Sequence, residues 1–418
     1  MQNNKTNFKA EAIFSFYAMI LGIFVGTFVW SFLKILSYAT LFLWDYIPSK
    51  LNIPFFTILI CTTGGIIIGL FRLKFGQYPE LLEDVISKVK KEKHYRYDNI
   101  MIVTVAALLP LIFGGSIGLG AGMTGIIVGL CYWVGDRLKL AGETLSEFTS
   151  IGISAGLGVL FSAPLFGISE YAENPSDENS EIIFSKPAKL FAKIFAIIGG
   201  IGIYYVLGQF LGNAMSLPRI GAETVSNYDR ILGIPTIVIG ILFGYIYLIF
   251  NKICIILFKK LSAKKWLSFI GTVLGGIILG IIGTLFPLTM FSGEEQMSTL
   301  LLSYRTYAPI FLIAIGVIKL FITNFCIYSG WRGGHFFPVI FSGVSIGYGI
   351  ALLLHTTPSL TIAIITATIL ATAMRKPLTV TMLLLLCLPF RTIPWMIIAA
   401  FIAGNIPLPK FLRSNNKK

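Results

Sequence analysis

The chain contains six long apolar runs, and each is long enough to cross the hydrocarbon core of a bilayer, which takes about 20 helical residues. The chain is 56% hydrophobic and only 12% charged, whereas a soluble protein has about 25% charged residues. This excess of apolar surface predicts a polytopic α-helical membrane protein. The runs cover residues 12–44, 54–71, 190–211, 231–258, 266–285 and 310–328.

The net charge of +14 comes from lysine and arginine residues that cluster in the connectors between apolar runs and near both termini. Basic connectors of this kind mark the cytoplasmic side of membrane proteins. We therefore expect both termini in the cytoplasm and the protein in the plasma membrane of a bacterium. We do not expect a nucleic-acid-binding face.

Residues that could catalyse a reaction or bind a metal ion do not form a recognisable group. The five cysteines lie singly inside apolar runs, and the three histidines are far apart in the sequence, so neither type has metal-ligand spacing. The sequence also lacks a Ser/His/Asp or Cys/His pattern for nucleophilic catalysis. It therefore predicts neither an enzyme nor a bound cofactor. The first apolar run is too long for the core of a cleavable signal peptide.

Two glycine-rich stretches break the apolar pattern, one in each half of the chain. The first is LIFGGSIGLGAGMTGIIVGL, residues 111–130, and the second is SGWRGGHFFPVIFSGVSIGYG, residues 329–349. Broken helices occur at membrane depth only where protein or water meets the freed backbone groups, and they point to a transport site. The shorter, interrupted apolar runs are 100–113, 121–134, 149–167, 336–354, 360–374 and 378–388.

The two breaks can create an anion site without any cationic side chain. A helix that begins inside the protein directs unpaired N–H groups, and about half a positive charge, at whatever lies before it. Glycine lets the backbone turn sharply and approach an ion closely. The alternative explanation is a seam of small residues where two helices pack closely.

The second break resembles the G-x-F-x-P element of the CLC family of chloride channels and transporters. Its five positions are taken by Gly334, His335, Phe336, Phe337 and Pro338. The resemblance implies that the backbone amides of His335 and Phe336 contact the anion.

The first break lies where the CLC family has G-[KR]-E-G-P, and two alignments remain open. Against that element, the matching residues are Gly115, Ser116, Ile117, Gly118 and Leu119. In a divergent bacterial branch of the family the element has the sequence S-L-G-P-E. Against that sequence the matching residues are Ser116, Ile117, Gly118, Leu119 and Gly120.

Three further segments resemble family elements, and all five follow the family's order along the chain. ISAGLGVLFSAPLFGISEYAEN, residues 153–174, is similar to A-G-x-x-x-x-F-x-A-P-L-x-G. FGQYPE, residues 75–80, lies at the position of G-S-G-I-P-E, and AGNIPLPKFL, residues 403–412, lies at the position of G-G-K-P-L-Y. Gly76 then stands where the family's first anion-binding element has a serine.

The resemblance implies an all-α CLC-type fold of broken, partly re-entrant helices in two inverted halves. We expect one transmembrane domain, with halves at about 10–211 and 231–409 and without a cytoplasmic regulatory domain. The expected partners are chloride or a similar small anion, the lipid bilayer and a second copy of the chain, since the family forms dimers with one pore per subunit.

Departures from the family pattern remove side chains and leave the backbone elements. The gating glutamate is replaced by Ile117 or Gly120, the C-terminal tyrosine by Pro409 and the inner proton-transfer glutamate by Asn174. Neither isoleucine nor glycine can carry a proton, so we expect passive anion movement. The alternatives are an anion/proton antiporter with a relocated carboxylate such as Glu294, and a membrane scaffold that does not conduct.

Charged residues near the breaks are the remaining candidates. Lys319 lies inside an apolar run, where it can raise the anion concentration in a pore; alternatively it snorkels or pairs with Glu294 or Glu295. Arg332 precedes the second break and either attracts anions or makes a loop contact. Residues 79–93 have the pattern of an amphipathic helix at the cytoplasmic interface.

Overall fold

The computed structural model of the chain describes residues 8–51, 53–80, 85, 97, 99–138, 142–161, 163–172, 186–212, 218–261, 264–385 and 387–412. All regular elements of these residues are helical, apart from one isolated antiparallel bridge between Gly118 and Gly334. The all-helical architecture predicted from the sequence is confirmed. Most of the predicted amphipathic helix at 79–93 and both residues 173 and 174 lie outside the described residues.

Seven helices in the described part of the chain are long and apolar enough to cross a bilayer. Six correspond to the predicted runs. The seventh comes from 336–354, which we expected to be a shorter, interrupted segment but which forms one continuous helix. The spans are Glu11–Lys50, Phe56–Phe75, Pro187–Leu211, Asn227–Lys259, Lys265–Leu285, Pro309–Ser329 and Phe336–Leu354.

The helices form two compact units that interleave along the sequence. The first unit lies within Met1–Ala39, Pro79–Val105 and Gly120–Ser216. In its interior α6 packs against α5, α7 and α8. The helices with residues in this unit are α1 (Phe8–Leu41), the start of α4 (Ile100–Ile112), α5 (Gly120–Arg137), α6 (Gly142–Leu160), α7 (Pro164–Ala172) and α8 (Lys186–Leu211).

The second unit lies within Thr40–Tyr78, Ala106–Leu119 and Leu217–Lys418. It therefore combines short early segments with the C-terminal half of the chain, and the half boundaries at 211 and 231 stay a prediction. Its helices are α2 (Ile47–Lys50), α3 (Phe56–Phe75), the end of α4, α9 (Asn227–Leu261), α10 (Lys265–Leu285), α11 (Glu294–Ser303), α12 (Pro309–Ser329), α13 (Phe336–Leu354), α14 (Pro358–Met374), α15 (Pro377–Leu384) and α16 (Ile393–Asn405).

Local sequence explains where the helices of the second unit begin and end. Proline occupies the first helical position of α12, α14 and α15, where its missing N–H has no acceptor in the helix anyway. Helix α12 ends at Gly330, whose φ of +117° places it in the left-handed region that favours glycine at helix ends. This glycine is the second residue of the second break.

The contact between α3 and α10 is close because α10 presents glycines to α3. A Cβ atom added at Gly280 would lie 2.7 Å from the Cα atom of Ile58, and one added at Gly276 would overlap the carbonyl of Cys61. Close packing of small residues also occurs within the second break, where Cβ atoms added at Gly343 and Gly347 would each lie 2.7 Å from a backbone Cα atom of α14. The alternative explanation, a seam of small residues, therefore applies to that part of the second break as well as to α10.

We expect Gly280→Val to lower the free energy of unfolding by about 1–3 kcal/mol, because the new side chain overlaps the backbone of α3. Thermal unfolding of the purified protein in detergent measures the effect. Gly202→Val is the matched control, since a Cβ atom at Gly202 meets nothing within 4 Å. Equal melting temperatures for the two variants would contradict the packing described here.

Candidate functional site

The two glycine-rich breaks meet at one point inside the second unit. The Gly118 N–H donates to the Gly334 carbonyl at 2.6 Å, and the Gly334 N–H donates to the Gly118 carbonyl at 2.7 Å. Helix α13 begins two residues later, at Phe336. The structure therefore brings Gly118 of the first break to the start of the helix that follows the second break.

Glycine at position 118 suits this meeting point because the opposite backbone and the first turn of α13 leave little room for a side chain. A Cβ atom at Gly118 would lie 3.3 Å from the Gly334 carbonyl oxygen and equally close to the side chains of Phe337 and Pro338. These contacts answer why an apolar segment contains glycines that weaken a helix. The cost of glycine is offset by the close approach of two backbones.

The first break is a compact turn between α4 and Gly118. The Gly115 N–H donates to the Pro110 carbonyl at 2.8 Å, and the Ile117 N–H donates to the Gly115 carbonyl at 2.8 Å. Gly114 has a φ of +82°, and its carbonyl accepts a hydrogen bond of 3.1 Å from the Phe291 N–H. The turn is thus held by a loop that the sequence did not suggest.

Ile117 fills the space next to Gly333. Its side chain is fully buried, and a Cβ atom at Gly333 would overlap it. Under the first alignment, this isoleucine occupies the position of the family's gating glutamate. Gly120, which takes that position under the second alignment, is the first residue of α5 and belongs to the other unit.

His335 contributes to the site as the N-cap residue of α13. Its imidazole ring lies 6.3 Å from the ring of Tyr247 and 4.6 Å from the ring of Phe336, and it makes no capping hydrogen bond. Burial lowers the pKa of His335 to about 4, so the ring is neutral at pH 7. The ring therefore acts as packing beside the first turn of α13.

Helix α13 is the most buried of the seven spans. In its most apolar 18-residue window, 83% is buried inside the protein, against 61% for the next most buried span, Pro309–Ser329. A helix that faces lipid leaves much of its surface exposed, so α13 lies inside the protein. Its first amides have no acceptor within the helix, which gives them the geometry of an anion site.

Helix α12 turns a polar face toward the first break. The Ser116 and Thr323 hydroxyl oxygens lie 3.3 Å apart. Four residues earlier, the fully buried Lys319 donates from Nζ to three carbonyl oxygens, at 3.0 Å to Thr289, 2.7 Å to Met290 and 2.7 Å to Phe291.

The contacts of Lys319 rule out two of the interpretations made from the sequence. The side chain does not snorkel, because it is completely buried, and it forms no ion pair with Glu294 or Glu295, both of which the structure describes. The three carbonyls instead hold the ammonium against the loop that supports Gly114. The Lys319 side chain is therefore linked to the first break through Phe291, by two successive hydrogen bonds.

Arg332 makes the loop contact that the sequence allowed. It donates to the backbone carbonyl of Gln77 at 3.0 Å and to the side-chain oxygen of Gln77. Gly76, next to Gln77, has a φ of +97° and nothing within 4 Å of its Cβ position. Arg332 therefore connects the second break to Gln77, the neighbour of Gly76. The Cβ position of Gly76 itself is not close to Gly118 or Gly334.

Trp331 is a part of the site that the sequence analysis missed. It is fully buried, its Nε1 donates to the Thr272 carbonyl at 3.0 Å, and its ring lies 3.1 Å from the Cβ position of Gly115. The signal that could have identified it is the presence of a tryptophan inside a glycine-rich break. The ring separates α10 from the first break and fixes the distance between them.

Residues 289–291, whose carbonyls accept from Lys319, form the supporting loop of the first break. Glu294 is the buried carboxylate nearest in sequence to this loop. Its side chain is 4% exposed, and its Oε1 atom is buried and has no hydrogen-bond partner in the described part of the chain. Burial, and to a lesser extent repulsion by Glu295, raises the pKa of Glu294 to about 8.

We expect Gly333→Ala to lower the free energy of unfolding by about 1–3 kcal/mol, because the methyl group overlaps the Ile117 side chain. Ile117→Ala in the same chain makes room for the methyl group. The double variant should therefore be more stable than the sum of the single effects predicts, by about 0.5–3 kcal/mol. Strictly additive melting shifts in detergent would show that the two residues do not touch.

Comparisons with known proteins agree with this architecture. The family described as "Voltage gated chloride channel" matches residues 64–407. The ion-transport protein YfeO of Escherichia coli strain UMN026 is 26% identical over 354 residues, which cover 82% of this chain and 79% of that protein. YfeO of Salmonella typhimurium strain LT2 is 26% identical over 359 residues and is covered to 80%.

Two solved structures share the fold over nearly the whole chain. A slow cyanobacterial Cl⁻/H⁺ antiporter superposes with a TM-score of 0.74 at 18% identity, over 93% of this chain and 92% of that one. A CLC-type fluoride/proton antiporter superposes with a TM-score of 0.71 at 21% identity, over 97% of both chains. The CLC-type fold expected from the sequence is confirmed.

Proposed function

The chain belongs to the voltage gated chloride channel family, and from this premise we propose that it moves chloride or a similar small anion passively across the plasma membrane. Anion transport itself is the activity of the family. The observation that supports the path is the hydrogen-bonded pair of Gly118 and Gly334 directly before α13. The anion is held by the backbone amides of His335 and Phe336, with the first break, residues 115–120, on its other side.

The absence of proton coupling is proposed from the residues at the gating position. Ile117 is apolar and fully buried, and Gly120 has no side chain, so neither can exchange a proton during transport. The neutral ring of His335 cannot replace the glutamate at pH 7. An anion/proton antiporter that uses Glu294, and a scaffold without transport, remain the competing functions.

Chloride efflux from proteoliposomes separates these functions. Liposomes are loaded with potassium chloride, and efflux is started with valinomycin while a pH electrode follows protons. Chloride efflux without proton movement supports the proposal. Proton uptake in fixed proportion to chloride would establish the antiporter, and no efflux from protein of the correct size would establish the scaffold.

The proposed setting of the protein follows the family and the charge distribution. We place both termini in the cytoplasm because the basic connectors and tails favour that side. We propose a homodimer with one anion path in each subunit. Partners other than the anion, the bilayer and the second copy are not part of the proposal.

The backbone character of the site predicts different results for two neighbouring residues. His335→Ala keeps the amide, so we expect chloride efflux within a few-fold of the parent. Phe336→Pro deletes one N–H donor to a charged ligand, a loss of about 1.5–3 kcal/mol, and should reduce efflux by about 10- to 150-fold. Phe336→Ala is the control because it removes the ring and keeps the N–H.

Comparing Phe336→Pro with Phe336→Ala tests whether the Phe336 amide binds the anion. Proline is compatible with the first position of a helix, and size-exclusion chromatography checks that each variant folds. If Phe336→Pro conducts like Phe336→Ala, the amide does not bind the anion.

We propose that Lys319 raises the anion concentration in the path, because its buried charge lies behind the first break. Lys319→Met removes the charge and keeps an unbranched side chain. We expect chloride efflux to fall roughly tenfold, which is the order of effect of one buried charge at an effective dielectric constant near 20. Lys252→Met, at an exposed site on α9, is the control. Unchanged efflux in folded Lys319→Met would leave the lysine with a packing role alone.

A further inference from the structure

Glu294 is a buried acid without a hydrogen-bond partner for one of its oxygens. It is the first residue of α11, and its Oε1 atom is buried and unpaired among the described residues. Glu295, the next residue, is exposed. Buried carboxylates normally have partners, since an unpaired buried charge is costly. A proton on Glu294 removes that charge, so this side chain is built to bind one.

The groups around Glu294 come from several elements of the second unit. Its own helix contributes Glu295. The thiol of Cys387 lies within electrostatic range of the carboxylate and also of Arg219. From α12, the Lys319 ammonium binds the carbonyls of the preceding loop. Neither Lys319 nor Arg219 forms an ion pair with Glu294, so among the residues that the structure describes the carboxylate has no salt-bridge partner.

The supporting loop links Glu294 to the anion path. Phe291, three residues before Glu294, accepts a hydrogen bond from Lys319 and donates one to Gly114 of the first break. Gly293 packs against Phe341 of α13, with its Cβ position 2.7 Å from the Cβ atom of Phe341. Phe341 lies five residues after Phe336, which is about 7.5 Å along a helix axis.

This position lets the charge of Glu294 act on an anion at the start of α13. Buried charges are screened by salt much less than surface charges. Glu294 follows Gly293, which contacts the second turn of α13, and a negative charge on Glu294 opposes the positive end of the helix dipole. A neutral Glu294 leaves that end of the helix unopposed.

We propose that Glu294 is a proton-binding site that controls how strongly the anion is held at the start of α13. The inference rests on the proposed function, because it uses the same anion site. When Glu294 is protonated the anion is held, and when it is ionised the anion is repelled. Since burial raises the pKa of Glu294 to about 8, anion movement falls as the pH rises through that value. The proton regulates the path and is not carried along with chloride.

The test compares chloride efflux from proteoliposomes at pH values from about 6 to 9.5. We expect the parent protein to lose roughly tenfold in efflux over this range. Glu294→Gln, which mimics the protonated acid, should stay at the high level throughout, and Glu294→Ala provides a second variant if glutamine impairs folding. The matched control Glu295→Gln should keep the fall and shift its midpoint to lower pH, because it removes the repulsion that favours the protonated form.

A second measurement does not depend on transport. Isothermal titration calorimetry of purified protein with chloride should give weaker binding at pH 9.5 than at pH 6.5 for the parent, and equal binding for Glu294→Gln. If chloride binds with this pH dependence but does not cross the membrane, the proton site stands and the proposed transport function fails.

Three results would overturn the proton site itself. The first is a parent protein whose chloride binding and efflux are independent of pH. The second is a fall with pH that persists in both Glu294→Gln and Glu294→Ala. The third is proton movement coupled to chloride in the parent and lost in Glu294→Gln, which would make Glu294 a proton carrier instead of a regulator.

Discussion

The two reciprocal hydrogen bonds between Gly118 and Gly334 are the constraint on which the rest of the site depends. At this pair the two backbones exchange hydrogen bonds of 2.6 and 2.7 Å, and a side chain at Gly118 would press on the Gly334 carbonyl and on the first turn of α13. The pair brings two segments more than 200 residues apart to the start of α13. Ile117 can then cover Gly333 only because Gly333 has no side chain.

The turn of the first break leaves backbone carbonyls outside any helix, and a membrane protein has to give such groups hydrogen-bond partners internally. The Gly114 carbonyl accepts from Phe291, and the carbonyls of the Phe291 loop accept from Lys319. A single buried ammonium thus completes the hydrogen bonding of the loop that holds the first break. The three carbonyl acceptors explain why a lysine is tolerated inside an apolar helix.

Much of the fold followed from the sequence, because apolar runs of about 20 residues and proline at helix starts have few other meanings. The two breaks were also recognisable from their glycines. Long-range contacts were not, since nothing in the sequence pairs Lys319 with the carbonyls of Thr289 to Phe291 instead of with an acid. The same holds for Trp331, whose partner Thr272 lies 59 residues away, and for the continuous helix at 336–354.

The proposed anion site, which is made of backbone amides, also restricts where pH sensitivity can come from. Amide N–H groups do not titrate in the range where proteins are folded, and the burial that makes His335 a packing residue keeps its ring uncharged at pH 7. Ile117 carries no titratable group. Control by protons therefore has to come from beyond the first turn of α13. Lys319 has three acceptors that suit an ammonium ion, whereas Glu294 has a buried oxygen that suits a proton. In the proposed mechanism, pH therefore acts on the anion through Glu294, beside the start of α13, and not through a carboxylate at Ile117 or Gly120.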